Sequence, residues 1–259
     1  MNPIQWYPGH MAQAMRRLAD DVRMVDVVVE VVDARVPASG RNPALARIAG
    51  RKARVLVLDR EDLADPHATA AWLASFAAED RIAVAINGKS RGSGVALRAA
   101  LPPLAKGRGM ARAIVVGIPN AGKSTVINAL VRKNVARVED RAGVTRAAQW
   151  FRVGSTLEVM DTAGILVPKI ETPEAQWKLA ICGAVPRTRY DAEDVVARFH
   201  AWTVRRGTAA KVPDLATYAR ERGFVRRGNT LDTHNAAWSY IKEFNDGRFG
   251  RMTLELPAE

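Results

Sequence analysis

The chain has 259 residues, 39 Lys and Arg against 27 Asp and Glu, and a formal net charge of +12. That length allows one α/β domain with a sizeable core and a smaller second unit, and the basic balance favours a polyanionic partner, nucleic acid or an acidic membrane surface. A single cysteine, Cys182, excludes an intramolecular disulfide and a cysteine-based metal cluster. The longest apolar runs are far shorter than a bilayer span, and the first eleven residues lack the charged start and apolar core of a signal peptide, so a cytoplasmic protein with no membrane partner is expected.

Trp6 and Tyr7 beside Pro8-Gly9 predict an ordered turn held by aromatic packing. A helix follows over 12–22, with Met11, Met15, Leu18 and Val22 on one face and His10 at its start. A lone His there is more often structural than catalytic on spacing alone. Val25 to Val32 is a β-branched run that reads as a buried strand. It ends in Asp33-Ala34-Arg35-Val36-Pro37 and then Ser39-Gly40-Arg41-Asn42-Pro43. Open α/β sheets bind ligands where strand ends meet such loops; the alternative is a loop rich in turn formers. Next come a short helix over 42–50 and a strand over 54–58, which Asp59-Arg60-Glu61-Asp62 follows. A helix over 66–78, a strand over 82–86, the Asn87-Gly88 loop and a proline-interrupted helix over 95–104 complete this half. The alternation predicts a mostly parallel, doubly wound α/β sheet.

The strongest motif is Gly117-Ile118-Pro119-Asn120-Ala121-Gly122-Lys123-Ser124-Thr125, which fits the phosphate-binding pattern G-x-x-x-x-G-K-[ST]. It lies between an apolar strand, 113–116, and a helical stretch, 126–132. Glycines let the backbone N–H groups of such a loop turn inward around phosphate oxygens, and the helix N-terminus adds its partial positive charge. Lys123 then reaches the β- and γ-phosphates, and the Ser124 hydroxyl ligates Mg²⁺. Downstream, 150–153 and 157–160 read as a hairpin turning at Gly154-Ser155 and ending at Asp161-Thr162-Ala163-Gly164. A D-x-x-G after a phosphate loop supplies the second half of a nucleotide–Mg²⁺ site, Asp161 through water and the Gly164 N–H to a γ-phosphate.

Beyond Thr172 the pattern is helical, over 173–182, 192–205, 212–222 and 233–244, with no strand signals. Arginines at 187, 189, 198, 205, 206, 226 and 227 are interleaved with Trp202, Tyr218, Phe224, Trp238 and Tyr240. The aromatics read as core. The Arg226-Arg227 loop and the Arg205-Arg206 helix end are candidate RNA contacts.

In ordinary P-loop GTPases the phosphate loop comes first and the base-reading N-K-x-D comes late. Here a candidate base-reading element, Asp59 to Asp62, lies upstream. In this motif order the chain resembles circularly permuted GTPases, and more closely the ribosome biogenesis GTPase A family (RbgA/YlqF). The matching pieces are Trp6 to Met11, Asp33 to Pro37 with Arg41-Asn42-Pro43, the phosphate loop with Pro119-Asn120, Gly143-Val144-Thr145, and Asp161 to Ile165. The resemblance implies a permuted GTPase domain over 1–168 and a basic, helical RNA-binding domain over 169–259. It implies a GTP-hydrolysing assembly factor, slow alone, that acts on the large ribosomal subunit and its rRNA, with a monomer expected. Nucleotide contacts are expected from Asp59, Arg60, Asp62, Asn87, Gly88, Asn120, Ala121, Gly122, Lys123, Ser124, Thr125 and Gly164. Mg²⁺ would be held by Ser124, Thr145 and Asp161, and K⁺ by Asn120. Lys123 and Thr145 are expected in catalysis. Ile165 replaces the glutamine that orients water in many GTPases; in this family that role falls to the histidine matching His10.

The base-reading element departs from the family, with Asp59-Arg60 in place of Asn-Lys. An amide becomes an acceptor-only carboxylate, expected to weaken guanine binding or relax base choice. Arg60 is expected as a planar lid over the base, and Asp62 accepts from guanine N1–H and the 2-amino group. An ATPase of relaxed base choice and a degenerate, rRNA-binding scaffold are the rival readings.

Overall fold

Val27–Asp33 (β1), Ala53–Asp59 (β2), Ile82–Ile86 (β3), Ala111–Val116 (β4), Val135–Val138 (β5), Gln149–Val153 (β6) and Leu157–Asp161 (β7) form one sheet in the order β3-β2-β1-β4-β7-β6-β5. The computed structural model describes residues 8–79, 81–105, 109–131, 135–138, 149–162, 170, 172–208 and 212–257. Strands β3, β2, β1, β4 and β7 are parallel, and β6 and β5 add an antiparallel edge. Strand β5, at 135–138, is one that the sequence pattern did not signal.

Strand β1 shows why the β-branched run was legible. All seven of its residues are buried, because helices cover both faces. Val27, Val29 and Val31 face the core shared with Gly94–Ala100 (α4) and Lys123–Val131 (α5) through Leu97, Val126 and Ile127. Val28 faces Leu18 and Val22 of Pro8–Arg23 (α1) and Leu45 of Ala44–Ala49 (α2). Val32, with Leu56 and Leu58 of β2, packs on Trp72 and Phe76 of Pro66–Ala78 (α3). The doubly wound arrangement follows from this alternation.

After the sheet come Pro173–Ile181 (α6), Ala192–Arg205 (α7), Leu215–Glu221 (α8) and Thr233–Asn245 (α9). Each starts on a Thr or Asp whose side chain accepts a backbone N–H of the first turn: Thr172, Asp191, Asp214 and Asp232. Such caps satisfy otherwise orphaned donors and fix the helix start. Contrary to the expectation of no strands, Val225–Arg226 (β8) and Thr230–Leu231 (β9) form a short antiparallel pair. Its turn uses left-handed residues at Gly228 and Asn229, and two-residue strands are too short to show alternation. The expected boundary at 168/169 and Trp6 and Tyr7 of the expected aromatic turn lie outside the described residues; Pro8 and Gly9, expected in that turn, instead begin α1, where the fixed φ of proline suits a first helical position.

The hydrophobic core runs without a break from the sheet into the helical unit: Val36 and Ile118 belong to the same cluster as Ile181, Val185 and Phe244. Tyr218 and Tyr240 are buried, and Trp202, Phe224 and Trp238 pack against this core. Among the described residues no helix is long and apolar enough to cross a membrane. Phe199 is the centre of the helical unit, with the rings of Trp177 at 6.5 Å, Tyr240 at 6.2 Å and Phe244 at 5.1 Å. Phe199→Ala is expected to lower unfolding stability by about 3–5 kcal/mol, read as an earlier urea midpoint at unchanged slope; parental stability would contradict the packing described.

Candidate functional site

Strands β1 and β2 end together, Asp33 opposite Asp59, while β4 ends three residues earlier, Val116 opposite Glu30. The phosphate-loop motif leaves β4 at Gly117 and enters α5 at Lys123. Lys123 is buried, and its Nζ donates to the Ile118 carbonyl at 2.9 Å. Burial lowers its pKa, and the Asp161 charge offsets part of that. Conversely, burial raises the Asp161 carboxyl, offset in part by Lys123 and the Thr162 N–H. The Thr162 hydroxyl donates to the Val115 carbonyl at 2.7 Å and fastens the end of β7 to β4. In the first turn of α5, Ser124 is exposed and Thr125 half-buried. Asn120 has a left-handed backbone, φ 57°. Its side-chain Nδ2 donates to the Gly183 carbonyl of the helical unit at 2.7 Å.

The Asp59 to Asp62 element stands across from this loop. Asp59 is buried, and its Oδ1 accepts from the Gly88 N–H at 2.9 Å. Close approach by backbone makes this possible: a Cβ at Gly88 would lie 2.9 Å from that oxygen and 2.8 Å from Thr125 Cγ2. A Cβ at Gly122, φ 106°, would fall on the Asp59 carboxylate itself. Asp59 therefore wedges between the Asn87-Gly88 turn and the phosphate loop, and its carboxylate takes its donor from backbone. Burial raises its pKa, against the Gly88 and Arg60 N–H groups and the Arg60 charge.

Arg60, expected as a lid over the base, lines the cavity that Asp62 faces, with its guanidinium engaged at both ends. Its guanidinium donates to Asp33 Oδ2 at 2.8 Å and to the Asn120 carbonyl at 2.8 Å, tying the end of β1 to the phosphate loop. Asp62 is exposed on a cavity of about 480 Å³. Asn87, Asn120 and Thr125 line it on the sheet side, and Arg187, Tyr190 and Lys242 line it from the helical unit. This volume lies within the usual range of small-molecule sites.

The sequence reading left Asp33 and Arg35 without a role. Asp33 is buried and takes Arg35 Nε at 2.9 Å, Arg35 Nη2 at 2.7 Å and the Arg35 N–H at 3.0 Å. Arg35, 1% exposed, also donates to Asn245 Oδ1 of α9 at 2.9 Å and lies 4.9 Å from the Phe244 ring. Burial pushes the Asp33 carboxyl up, but the Arg35 and Arg60 guanidiniums outweigh it and hold the pKa below its ordinary value. Burial likewise works against the Arg35 charge, and Asp33 outweighs it. The D-A-R spacing, which sets carboxylate and guanidinium two residues apart at a strand end, was the available signal.

His10 falls in the first turn of α1, but its side chain, Thr145, Gly164 and Ile165 lie outside the described residues. Among the described residues no three His, Cys, Asp or Glu gather as a metal cage. One hydroxyl and one carboxylate, Ser124 and Asp161, suit Mg²⁺ held mainly by phosphate oxygens and water.

Residues 112–201 match a family profile described as 50S ribosome-binding GTPase. Ribosome biogenesis GTPase A of Bacillus cereus is 35% identical over 99% of this chain and 95% of its own length. Its namesake from Thermotoga maritima is 31% identical over 99% and 95%. Two solved structures of YlqF from that organism are similar throughout. The GDP-bound one has a TM-score of 0.74 at 28% identity, covering 94% of this chain and all of the other. The GNP-bound one has a TM-score of 0.75 at 27% identity, covering 95% and 99%.

The buried Asp59 carboxyl makes stability pH-dependent. With a folded pKa above the unfolded value of about 3.9, its contribution is fully present below that value and lost as pH rises through the folded pKa. Asp59→Asn keeps an acceptor for Gly88 and removes the buried charge. The variant is expected to unfold at higher urea than the parent near pH 7.5, with the gap closing toward about pH 4; a gap of equal size at both pH values would contradict this.

Proposed function

The chain belongs to the ribosome biogenesis GTPase A family, and from that premise we propose how this molecule binds GTP, hydrolyses it and acts in assembly of the large ribosomal subunit. The observation that carries the reading is the convergence on one cavity of the phosphate-loop Asn120 and Thr125 with the exposed carboxylate of Asp62. Triphosphate lies against the backbone of Asn120 to Thr125, with Lys123 released from the Ile118 carbonyl to the phosphates. Guanine lies against Asp62, whose two oxygens accept from N1–H and the 2-amino group. Asp59 acts one layer behind the base, holding the Asn87-Gly88 turn to the phosphate loop. A change of base partner draws no support from Asp59, which is buried between the Gly88 and Gly122 backbones.

Ser124, Thr145 and, through water, Asp161 are the residues that would hold Mg²⁺, which supplies neutralisation of β- and γ-phosphate charge. The donor set fits, as two hydroxyls and one water-mediated carboxylate would leave the remaining positions to phosphate and water. For K⁺ the candidate is Asn120. Its Nδ2 is engaged by Gly183, which leaves its Oδ1 as the end that can face a cation. His10 is the candidate for positioning the attacking water, since Ile165 has no hydrogen-bonding group.

The partner in this reading is large-subunit rRNA. Supporting it are the +12 charge and the exposed basic residues of the helical unit. Arg205 and Arg206 end α7 exposed, and the β8–β9 turn with Arg226 and Arg227 projects into solvent. Arg226 donates to Asp232 at 2.7 Å, and this bond helps bring the Asp232 carboxyl down to about 2. Arg227 is the freer of the two for phosphate.

GTP turnover by the isolated protein is expected to be slow and to rise when large subunits are added, and Lys123→Ala is expected to lose at least about a hundredfold of it. Equal turnover with and without subunits would contradict the assembly reading. Asp62→Asn is expected to weaken GDP binding by about ten- to a hundredfold while improving xanthosine diphosphate relative to GDP; unchanged preference would remove Asp62 from the base site.

A further inference from the structure

Asp62 sits in an irregular loop between the end of β2 and the start of α3. The loop begins at Arg60, a non-glycine residue at φ 63°. Such a backbone persists only where its surroundings over-determine it. Inside the loop the bonds are few: Leu63 N–H to the Arg60 carbonyl at 2.9 Å, and the weaker Ala64 N–H to the Glu61 carbonyl at 3.3 Å. From outside, the Glu61 N–H donates to the Ile86 carbonyl at 3.2 Å, and most of the other backbone bonds to the loop come from Arg251 to Thr253, nearly two hundred residues away in sequence.

Arg251 reaches the loop with both arms of its guanidinium. Nε donates to the Ala64 carbonyl at 2.8 Å and Nη2 to the Glu61 carbonyl at 2.8 Å. The Met252 N–H donates to the Leu63 carbonyl at 2.9 Å. The Thr253 hydroxyl accepts from the Asp65 N–H at 3.0 Å. These four bonds bracket Asp62 on both sides while leaving its carboxylate exposed to the cavity.

The stretch is itself anchored at both ends. At its start, the Phe249 ring packs 4.6 Å from Tyr240 in the helical core. At its end, the Leu254 N–H donates to the Arg35 carbonyl at 2.8 Å. The buried Glu255 carboxylate accepts the Ala38 N–H at 2.7 Å, the Ser39 N–H at 3.0 Å and the Ser39 hydroxyl. The Trp72 indole N–H donates to the Glu255 carbonyl at 3.0 Å and joins the stretch to α3.

We infer that Arg251 to Glu255 form a strap that positions the base-reading loop, so that guanine affinity and selectivity depend on the end of the chain; the inference builds on the base-reading role given to Asp62 above. Arg251 and Thr253 are positioning residues in this scheme. They touch the loop backbone and not the nucleotide. A guanidinium suits the task because it offers two parallel donors to two carbonyls, where an ammonium presents a point charge. Loosening the loop lets the Asp62 oxygens drift from the geometry in which both guanine donors are satisfied, which raises the rate of nucleotide loss more than it slows capture. Because the strap leaves the helical core at Phe249, any partner that moves the helical unit gains a mechanical connection to the guanine site.

The test is displacement of fluorescent mant-GDP from the full chain by GDP, by IDP and by inorganic pyrophosphate. IDP lacks the 2-amino group that Asp62 reads, and pyrophosphate reports the phosphate loop alone. Arg251→Ala is expected to weaken GDP about tenfold and IDP by less, so that the GDP-to-IDP preference falls, with pyrophosphate unchanged. Thr253→Val, nearly isosteric, is expected to shift the same ratio in the same direction and by less. Equal weakening of all three competitors would reduce the strap to general scaffolding and overturn the inference, as would no change in any. An Asp62→Asn control separates the two readings. If the control lowers the GDP-to-IDP preference and Arg251→Ala does not, the strap alone is refuted; if the control leaves the preference intact, the role of Asp62 is refuted and the strap's role with it.

Discussion

The Asp33 carboxylate is the group on which the arrangement of the site depends. It ends β1, is buried, and holds two guanidiniums, Arg35 at 2.7 Å and Arg60 at 2.8 Å. A carboxylate removed from water with one cation would recover little of its desolvation cost. With two, plus the Arg35 N–H, it is held ionised. Each guanidinium also donates beyond Asp33: Arg60 through Nη2 to the phosphate-loop carbonyl of Asn120, and Arg35 through the Nη2 it shares with Asp33 to Asn245 in the helical unit. One carboxylate thus joins the loop that begins at Arg60, the phosphate loop and α9.

Such a cluster is a poor source of net stability but a strong source of specificity. Replacing it with apolar groups of like volume can be neutral, whereas removing one partner leaves an uncompensated buried charge costing about 3–5 kcal/mol. Here that asymmetry binds the Arg60 loop and the phosphate loop to the helical unit through one buried carboxylate. Asn120 contributes twice, through its carbonyl to Arg60 and its amide to Gly183. Nucleotide that reorders the phosphate loop must therefore disturb a bond to the helical unit. Order and disorder of loops is a common switch in this class of chemistry. In the function proposed above, the buried polar cluster would give such a switch a second path beside the D-x-x-G segment.

The frame of this structure was legible in the sequence for identifiable reasons. The β-branched run at Val27 to Val32 could only be a strand covered on both faces. The helix expected over 66–78 matches α3 to the residue, because the proline at its start acts locally. The strand–loop–helix setting of Gly117 to Thr125 follows from its spacing. Partners across long sequence distances left no such trace. Arg60 reads as a substitute for a lysine lid, yet its partner Asp33 lies 27 residues upstream. Glu255 sits in a stretch with no helical or strand period, so nothing marked it for Ser39, 216 residues away. The short β8–β9 pair failed to register because two residues carry no alternation.

The most direct test of this account is a double-mutant cycle read on GDP affinity, combining Arg60→Met at the phosphate-loop side of Asp33 with Asn245→Ala at the helical side of Arg35. The two side chains make no hydrogen bond to one another, and both act through the Asp33–Arg35 pair. The account predicts a coupling above about 0.5 kcal/mol, the mark of residues that share a network. Additive effects, within about 0.3 kcal/mol, would mean that the buried carboxylate holds the two sides separately and does not connect the nucleotide to the helical unit.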